Sequence, residues 1–227
     1  MTFVRGYDHD LFVSYAHLDN QGESAWVTTL VGKLETEVRQ RLGTKEFRIW
    51  IDDELDGNRP LTPEIMESLR RSATLLIVMS PAYLASEWCA KERTAFLTFV
   101  RDCVAEGRIF IVHCRETERK DIPPEFGDLV GFKFWTKDPK ARATRPLGWP
   151  DQREGSYMTK ILNVSDTLAR ALKEMNAAHE AVALAVPSGI TSERIFLAHS
   201  TDDMEAREEE LGYSSDTETS MDRPFRE

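Results

Sequence analysis

The chain has 227 residues, of which 41% are hydrophobic and 30% are charged, so it can bury a sizeable core and is not disordered throughout. Its formal net charge of −10 argues against general nucleic-acid binding. No apolar run reaches the roughly 20 residues of a membrane helix, and the polar amino terminus does not fit a signal peptide, so we expect a cytoplasmic protein without a membrane partner.

Five short apolar runs predict buried β-strands separated by helical segments. The runs are Leu11–Val13, Phe47–Ile51, Thr74–Met79, Arg108–Cys114 and Leu129–Trp135. Strands that alternate with helices predict βαβ units and a parallel sheet. We therefore expect an α/β fold of the flavodoxin-like, doubly wound type, with five strands in the order 2-1-3-4-5 and helices on both faces.

Helices are predicted by apolar residues spaced three or four positions apart. After the first strand the stripe consists of Trp26, Leu30, Leu34, Val38 and Leu42, and Gly43 is a plausible stop. Thr62 and Pro63 are typical of the N-cap and first residue of a short helix. A closing helix has its apolar face at Ile161, Leu168, Leu172 and Met175.

The helix predicted from about Ser86 carries a carboxylate, Glu92, on its apolar stripe. The other members of this stripe are Cys89, Phe96, Phe99 and Cys103. An unpaired, ionised carboxylate is too costly to keep in an apolar core. Glu92 therefore pairs with Arg93, Arg70 or Arg71, or lies exposed on a rotated helix, or lines a cleft beside Trp88. In doubly wound sheets such a cleft lies at the carboxyl ends of strands one and three.

Three ordered motifs resemble the Toll/interleukin-1 receptor (TIR) domain family, particularly its bacterial and plant-like members. The first motif is DLFVSYAH, in which a strand ends at Ser14-Tyr15, and the second runs from Trp50 to Pro60. The third is Ser86 followed by Trp88-Cys89-Ala90-Lys91-Glu92. The resemblance covers about residues 5–175 and is most specific over 10–100.

This resemblance implies one of two functions. Some members cleave NAD+ at the nicotinamide–ribose bond, with the glutamate at the position of Glu92 as the catalytic residue. Our first hypothesis is such an NAD+ glycohydrolase, activated by TIR self-association and acting in bacterial anti-phage immunity or as an effector. NAD+ would be its substrate, no cofactor would be retained, and the product would be linear or cyclic ADP-ribose. The alternative is a non-enzymatic adaptor that signals by TIR–TIR interaction.

A single carboxylate suits this chemistry. The nicotinamide of NAD+ is already a cationic leaving group, so it departs neutral without protonation by a general acid. A carboxylate then has to stabilise an oxocarbenium-like ribose, which it can do electrostatically, by hydrogen bonds or as a covalent partner. An apolar wall such as Trp88 would strengthen the electrostatic effect.

Beside Glu92, the expected substrate-binding residues are Tyr15, His17, Trp50, Trp88 and Ser86. Tyr15 either stacks on a ring of NAD+ or closes the edge of the core, and His17 either contacts ribose or phosphate or lies exposed. Trp50 either lines the cleft or packs under a helix, and Ser86 can also cap its helix.

Some NAD-cleaving relatives have an arginine just after the tyrosine, where this chain has Ala16. The residue that would bind the NAD+ phosphates is therefore open among Arg48, Arg59 and Lys91.

The segment Asp52–Pro60 resembles the BB loop, which docks onto a neighbouring TIR domain in this family. The expected contact residues are Leu55, Asp56, Gly57, Asn58 and Arg59. An ordinary solvated turn is the other interpretation of this segment.

Several site types are poorly supported. Neither GxGxxG nor GxxxxGK follows strand one, which argues against a hydride-transfer enzyme and a P-loop NTPase. The three cysteines form no CxxC pair and the histidines show no zinc-ligand spacing, so we expect no metal site.

The domain is expected to span residues 1–178. Residues 179–227 are expected to form a linker, a short strand–helix fragment near Thr191–Leu211 and a disordered acidic tail. The fragment could belong to a sensing module completed by a partner.

Overall fold

A computed structural model describes residues 1–21, 25–51, 63–99, 107–127, 129–138, 143–149 and 151–185. Its centre is a five-stranded sheet with the order β2-β1-β3-β4-β5, in which every neighbouring pair is parallel. The strands are β1 (His9–Ser14), β2 (Ile49–Ile51), β3 (Ser72–Met79), β4 (Ile109–His113) and β5 (Phe132–Lys133). The predicted flavodoxin-like strand order is confirmed.

Helices cover both faces of this sheet. The helices α1 (Trp26–Leu42) and α5 (Gly155–Ala185) pack on one face, and α2 (Pro63–Arg70) and α4 (Glu87–Phe99) pack on the other. Successive residues of a strand point to opposite faces, so Val13 contacts the first pair and Phe12 the second. All eight residues of β3 are buried, which explains the continuously apolar run Leu75–Met79 within it.

The apolar stripe of α1 lies against the sheet as predicted, with Trp26, Leu30, Leu34 and Val38 buried. The helix ends where Gly43 takes a left-handed conformation, with φ of 70°, and donates its N–H to the carbonyl of Arg39.

The stripe of α4 is buried over only part of its predicted length. Cys89, Glu92 and Phe96 are buried, but Phe99 is 41% exposed, so its predicted burial is wrong. Cys103 lies outside the described residues. The helix therefore contacts the sheet through its first turns.

The run Leu129–Trp135 does not form one strand. Only Phe132–Lys133 pairs with β4, and the chain then enters an antiparallel hairpin of β6 (Trp135–Lys137) and β7 (Thr144–Pro146). This hairpin was not predicted.

The closing helix α5 buries Ile161, Leu168 and Leu172, as predicted, and packs Met175 partly against the same core. It continues to Ala185, so residues 179–185 are helical and the expected linker does not begin at residue 179. The expected fragment Thr191–Leu211 and the acidic tail lie outside the described residues. Within the described ranges, no helix is long and apolar enough to cross a membrane.

The buried carboxylate of Asp10 fixes the amino-terminal segment to β1. It accepts the backbone N–H groups of Phe3 at 3.0 Å, Val4 at 2.8 Å and Arg48 at 2.9 Å. Burial raises the pKa of Asp10, while the three N–H donors act in the opposite direction. The interaction joins the segment before β1 to the start of β2.

Candidate functional site

Glu92 lies where α4 passes the carboxyl end of β1, and it is only 6% exposed. Ser14, the last residue of β1, donates its hydroxyl to Oε2 of Glu92 at 2.6 Å. The same Ser14 oxygen lies 3.3 Å from the phenol oxygen of Tyr83, which is fully buried. Ser14, Tyr83 and Glu92 thus form a buried polar cluster at the carboxyl edge of the sheet.

Two serine caps place Glu92 in this cluster. Ser80 follows β3, and its hydroxyl accepts the N–H of Tyr83 at 2.9 Å, which begins the short helix α3 (Pro81–Ala85). Ser86 separates α3 from α4, and its hydroxyl accepts the N–H of Cys89 at 3.3 Å. The position of Ser86 is therefore that of a helix cap, as its sequence context also allowed.

Two of the three interpretations of Glu92 are not met. Its burial excludes the rotated helix. The arginines considered as its partners bind other carboxylates, namely Arg93 with Glu125 at 2.9 Å, Arg70 with Glu67 at 2.6 Å and Arg71 with Asp8 at 2.8 Å. A position at the carboxyl edge of the sheet, on the side of Trp88, is the interpretation that remains.

The groups that surround Glu92 keep their protons near neutral pH. Burial raises the pKa of the Cys89 thiol to about 12, and the charge of Glu92 acts in the same direction. Burial also raises the pKa of Tyr83 above its usual range, with smaller contributions from Cys89 and Glu92. Neither Cys89 nor Tyr83 is therefore a nucleophilic anion at this edge.

Tyr15 and His17 do not join Glu92. Tyr15 is 8% exposed and its ring packs in the core beneath α1 and α5, on the opposite face from Glu92. His17 is half-buried, and its ring centroid lies 5.5 Å from that of Tyr15. The alternation of side chains along β1 explains the separation, because Ser14 and Tyr15 are neighbours in the chain.

Trp50 and Trp88 lie on the same side of the sheet as Glu92. The ring of Trp50 stacks on Phe12, with centroids 4.4 Å apart and planes at 14°, so this tryptophan packs against the core. Trp88 is half-buried, one turn before Glu92 on α4. The ammonium of Lys91 lies 5.0 Å from the centre of the Trp88 ring, which places a cation at the open side of α4.

The other candidates for phosphate binding differ in their positions. The backbone carbonyl of Arg48 accepts the N–H of Asp10. Asp10 lies four positions before Ser14 on β1, which places this pair about 13 Å from the carboxyl edge of the sheet. Arg48 is therefore at the wrong end of the sheet. Arg59 and the other expected BB-loop contacts, Leu55, Asp56, Gly57 and Asn58, lie outside the described residues.

No group of three His, Cys, Asp or Glu side chains that could hold a metal ion occurs within the described ranges. The hydrogen bond between Ser14 and Glu92 and the role of Tyr83 were not predicted from the sequence. The presence of Ser14 in the first motif was the available signal, but its partner lies 78 positions further along the chain.

The fold and this cluster define a flavodoxin-like α/β domain with a buried carboxylate at its carboxyl edge. The family model described as "TIR domain" matches residues 11–145, more than half of the chain. The chain therefore belongs to the TIR domain family, and the resemblance is confirmed at that level.

Among curated proteins, the disease resistance protein RUN1 of Vitis rotundifolia is 27% identical over 143 residues. The match covers 58% of this chain and 11% of RUN1, so this chain corresponds to a small part of that relative.

Similar solved structures include the TIR domain of the Toll-related receptor TRR-2 from Hydra magnipapillata, at 17% identity and a TM-score of 0.41, covering 70% of this chain and 98% of that one. A TIR-STING receptor from C. gigas in complex with 2',3'-cGAMP has 17% identity and a TM-score of 0.44, and the match covers 74% of this chain and 40% of that one. The TIR domains of the activated Roq1 resistosome have 15% identity and a TM-score of 0.35, and the match covers 90% of this chain and 99% of that one. At these values the similarities carry no argument about activity.

Proposed function

We propose that this TIR domain is an NAD+ glycohydrolase, an NAD+ nucleosidase in which Glu92 is the catalytic residue. The observation that carries the proposal is the position of the Glu92 carboxylate. It is 6% exposed, lies at the carboxyl edge of the sheet and is held at 2.6 Å by the hydroxyl of Ser14. NAD+ is the substrate in this proposal, and no cofactor is retained.

The proposed reaction breaks the bond between the nicotinamide nitrogen and the ribose. The bonding electrons leave with nicotinamide, which becomes neutral, and the ribose acquires oxocarbenium character. A carboxylate in a poorly solvated site stabilises that positive charge more strongly than one in water. In hydrolysis, water then bonds to the ribose carbon and releases a proton. In cyclisation, a hydroxyl of the same molecule bonds to that carbon and releases its proton.

The neighbours of Glu92 support this role. Ser14 fixes the direction of one carboxylate oxygen, and the Trp88 indole on the same helix offers an apolar wall. Lys91, beside that indole, is the described candidate for binding the phosphates of NAD+ that lies on the same helix as Glu92. We include in the proposal activation by association of TIR domains and a role in bacterial anti-phage immunity, as the resemblance implies.

The burial of Glu92 also favours a second candidate function. In a non-enzymatic TIR scaffold, the hydrogen bond from Ser14 would serve only to anchor α4 to β1. Such a protein would signal by assembly and leave NAD+ intact.

Nicotinamide release distinguishes the two functions. Concentrated or crowded protein is incubated with NAD+ and free nicotinamide is measured by chromatography. Glu92→Gln should lower release by about a thousandfold and keep the circular dichroism spectrum of the parent protein. Glu87→Gln, at an exposed position of the same helix, is the matched control and should keep full activity. Assembled wild-type protein that leaves NAD+ untouched would establish the scaffold function.

A further inference from the structure

A cavity opens at the carboxyl end of the sheet, beside the start of α1. Its volume is about 480 Å³, within the range of about 300–1,000 Å³ that is usual for small-molecule sites. Its walls come from the turn after β1, the start of α1, the end of β4 and the β7 region, and include Asp19, Trp26, Arg115, Arg145 and Trp149. Glu92 does not line it.

Arg115 supplies a cation to this cavity. Its side chain is exposed, and within the described part of the chain its guanidinium makes neither an ion pair nor a hydrogen bond. Arg145 differs, because it binds Glu154 at 3.1 and 3.3 Å and the carbonyl of Trp149 at 2.9 Å. An anionic group entering the cavity would therefore bind at Arg115.

Asp19 supplies an acceptor for hydroxyl groups. Its Oδ2 accepts the hydroxyl of Ser80 at 2.5 Å, and no donor to Oδ1 occurs among the described residues. Burial raises the pKa of Asp19, while the nearby Arg115 lowers it. Carboxylates at the carboxyl edge of doubly wound sheets commonly accept ribose hydroxyls.

Trp149 supplies an aromatic surface. Its side chain is 47% exposed at the rim, whereas Trp26 is buried and donates its indole N–H to the carbonyl of Leu147 at 2.8 Å. An exposed indole can stack with a planar base, an interaction worth about 1–3 kcal/mol per base. The cavity thus combines one group for each part of a nucleotide.

We propose that this cavity binds a ribonucleoside phosphate, with its phosphate on Arg115, its ribose hydroxyls on Asp19 and its base on Trp149. The proposal does not depend on the activity of Glu92, since the walls of the cavity belong to the side of the sheet on which α1 packs.

Titration calorimetry of the full chain with adenosine monophosphate tests this site. Arg115→Ala and Trp149→Ala should each weaken binding by about tenfold or more. Arg170→Ala, an exposed arginine on α5, is the matched control and should bind as the parent does. Glu92→Gln should also keep full affinity, so the result is independent of NAD+ cleavage.

Four outcomes would overturn the proposal. The first is no binding of the nucleotide, and the second is equal affinity of the parent and Arg115→Ala. The third is loss of binding in Glu92→Gln, which would place the nucleotide at the other site. Inorganic phosphate and adenosine are run as separate arms. Phosphate that binds as tightly as the nucleotide would reduce the cavity to an anion site and overturn the nucleotide assignment.

Discussion

The hydroxyl of Ser14 and the carboxylate of Glu92 lie 2.6 Å apart, although 78 positions separate the two residues in the chain. The bond joins the last residue of β1 to the middle of α4, and both side chains are largely buried. A buried carboxylate needs such donors, because it loses its hydration when the chain folds. The pair therefore sets both the rotation of α4 and the direction of its acidic group.

Replacing Ser14 by alanine should destabilise the domain. The substitution removes a donor from a buried carboxylate, so we expect the free energy of unfolding to fall by about 1.5–3 kcal/mol. Urea unfolding followed by circular dichroism measures this. Ser156→Ala is the matched control, since it removes a serine–glutamate hydrogen bond of 2.9 Å at an exposed site and should change stability little. Equal losses in the two variants would contradict the importance of the buried bond.

Asp10→Asn should loosen the amino-terminal segment. The carboxylate accepts three backbone N–H groups, whereas an amide presents one oxygen and an NH2 that opposes the remaining donors. We expect a loss of about 2–3 kcal/mol in the free energy of unfolding. Hydrogen exchange should show faster exchange of the N–H groups of Phe3 and Val4. Protection unchanged from that of the parent protein would show that Asp10 does not fix the segment.

Stability should fall as the pH is lowered from about 7.5 to 5.5. Burial lowers the pKa of His113, and burial together with Arg48 lowers that of His9, so both histidines favour the neutral form when folded. Just below the ordinary histidine pKa of about 6.5, the unfolded chain therefore binds more protons than the folded chain does. The free energy of unfolding then falls as the pH is lowered. Urea midpoints at the two pH values measure the loss, and His113→Gln should reduce it. An identical pH dependence in the variant would exclude His113 as a source.

Gly148→Ala should destabilise the domain, whereas Gly32→Ala should stabilise it. Gly148 has φ of 77°, and a Cβ there would lie 2.8 Å from the ring of Tyr157. We expect a loss of at least about 1–2 kcal/mol from the left-handed conformation alone. Gly32 lies on α1, and an added Cβ would meet no atom within 4 Å apart from its chain neighbours and the backbone of its own helix. Alanine there should raise stability by about 0.5–1 kcal/mol. Thermal unfolding of both variants gives the comparison, and a stable Gly148→Ala protein would refute the steric argument.

The sequence predicted the elements whose burial follows from local periodicity. The stripe of α1 and the apolar run Leu75–Met79 of β3 are both buried, as their patterns predicted. The hairpin of β6 and β7 escaped prediction because strands of three residues contain too little periodicity to detect. Phe99 shared the spacing of the α4 stripe, but spacing does not say where a helix leaves the sheet.

The sequence pattern singled out Glu92 as a candidate, but it did not predict the residues that surround it. Glu92 drew attention because a carboxylate on an apolar stripe conflicts with the pattern around it. Its donor Ser14 could not be derived, since nothing local links two residues that meet only when β1 and α4 pack together. Tyr15 was predicted to lie beside Glu92 because both residues are at the carboxyl edge of the sheet. The alternation of side chains along β1 instead directs Tyr15 to the opposite face of the sheet from Glu92.

The outer strands of the sheet restrict how copies of this domain can join. On one side β2 has three residues and on the other β5 has two, so the described strands expose very little unpaired backbone. Intermolecular extension of the sheet would form only a few ladder bonds, fewer than a stable strand pairing usually has. In the association proposed above, side chains of helices and loops should therefore hold the copies together. Salt or surface substitutions there should dissociate them without altering the sheet.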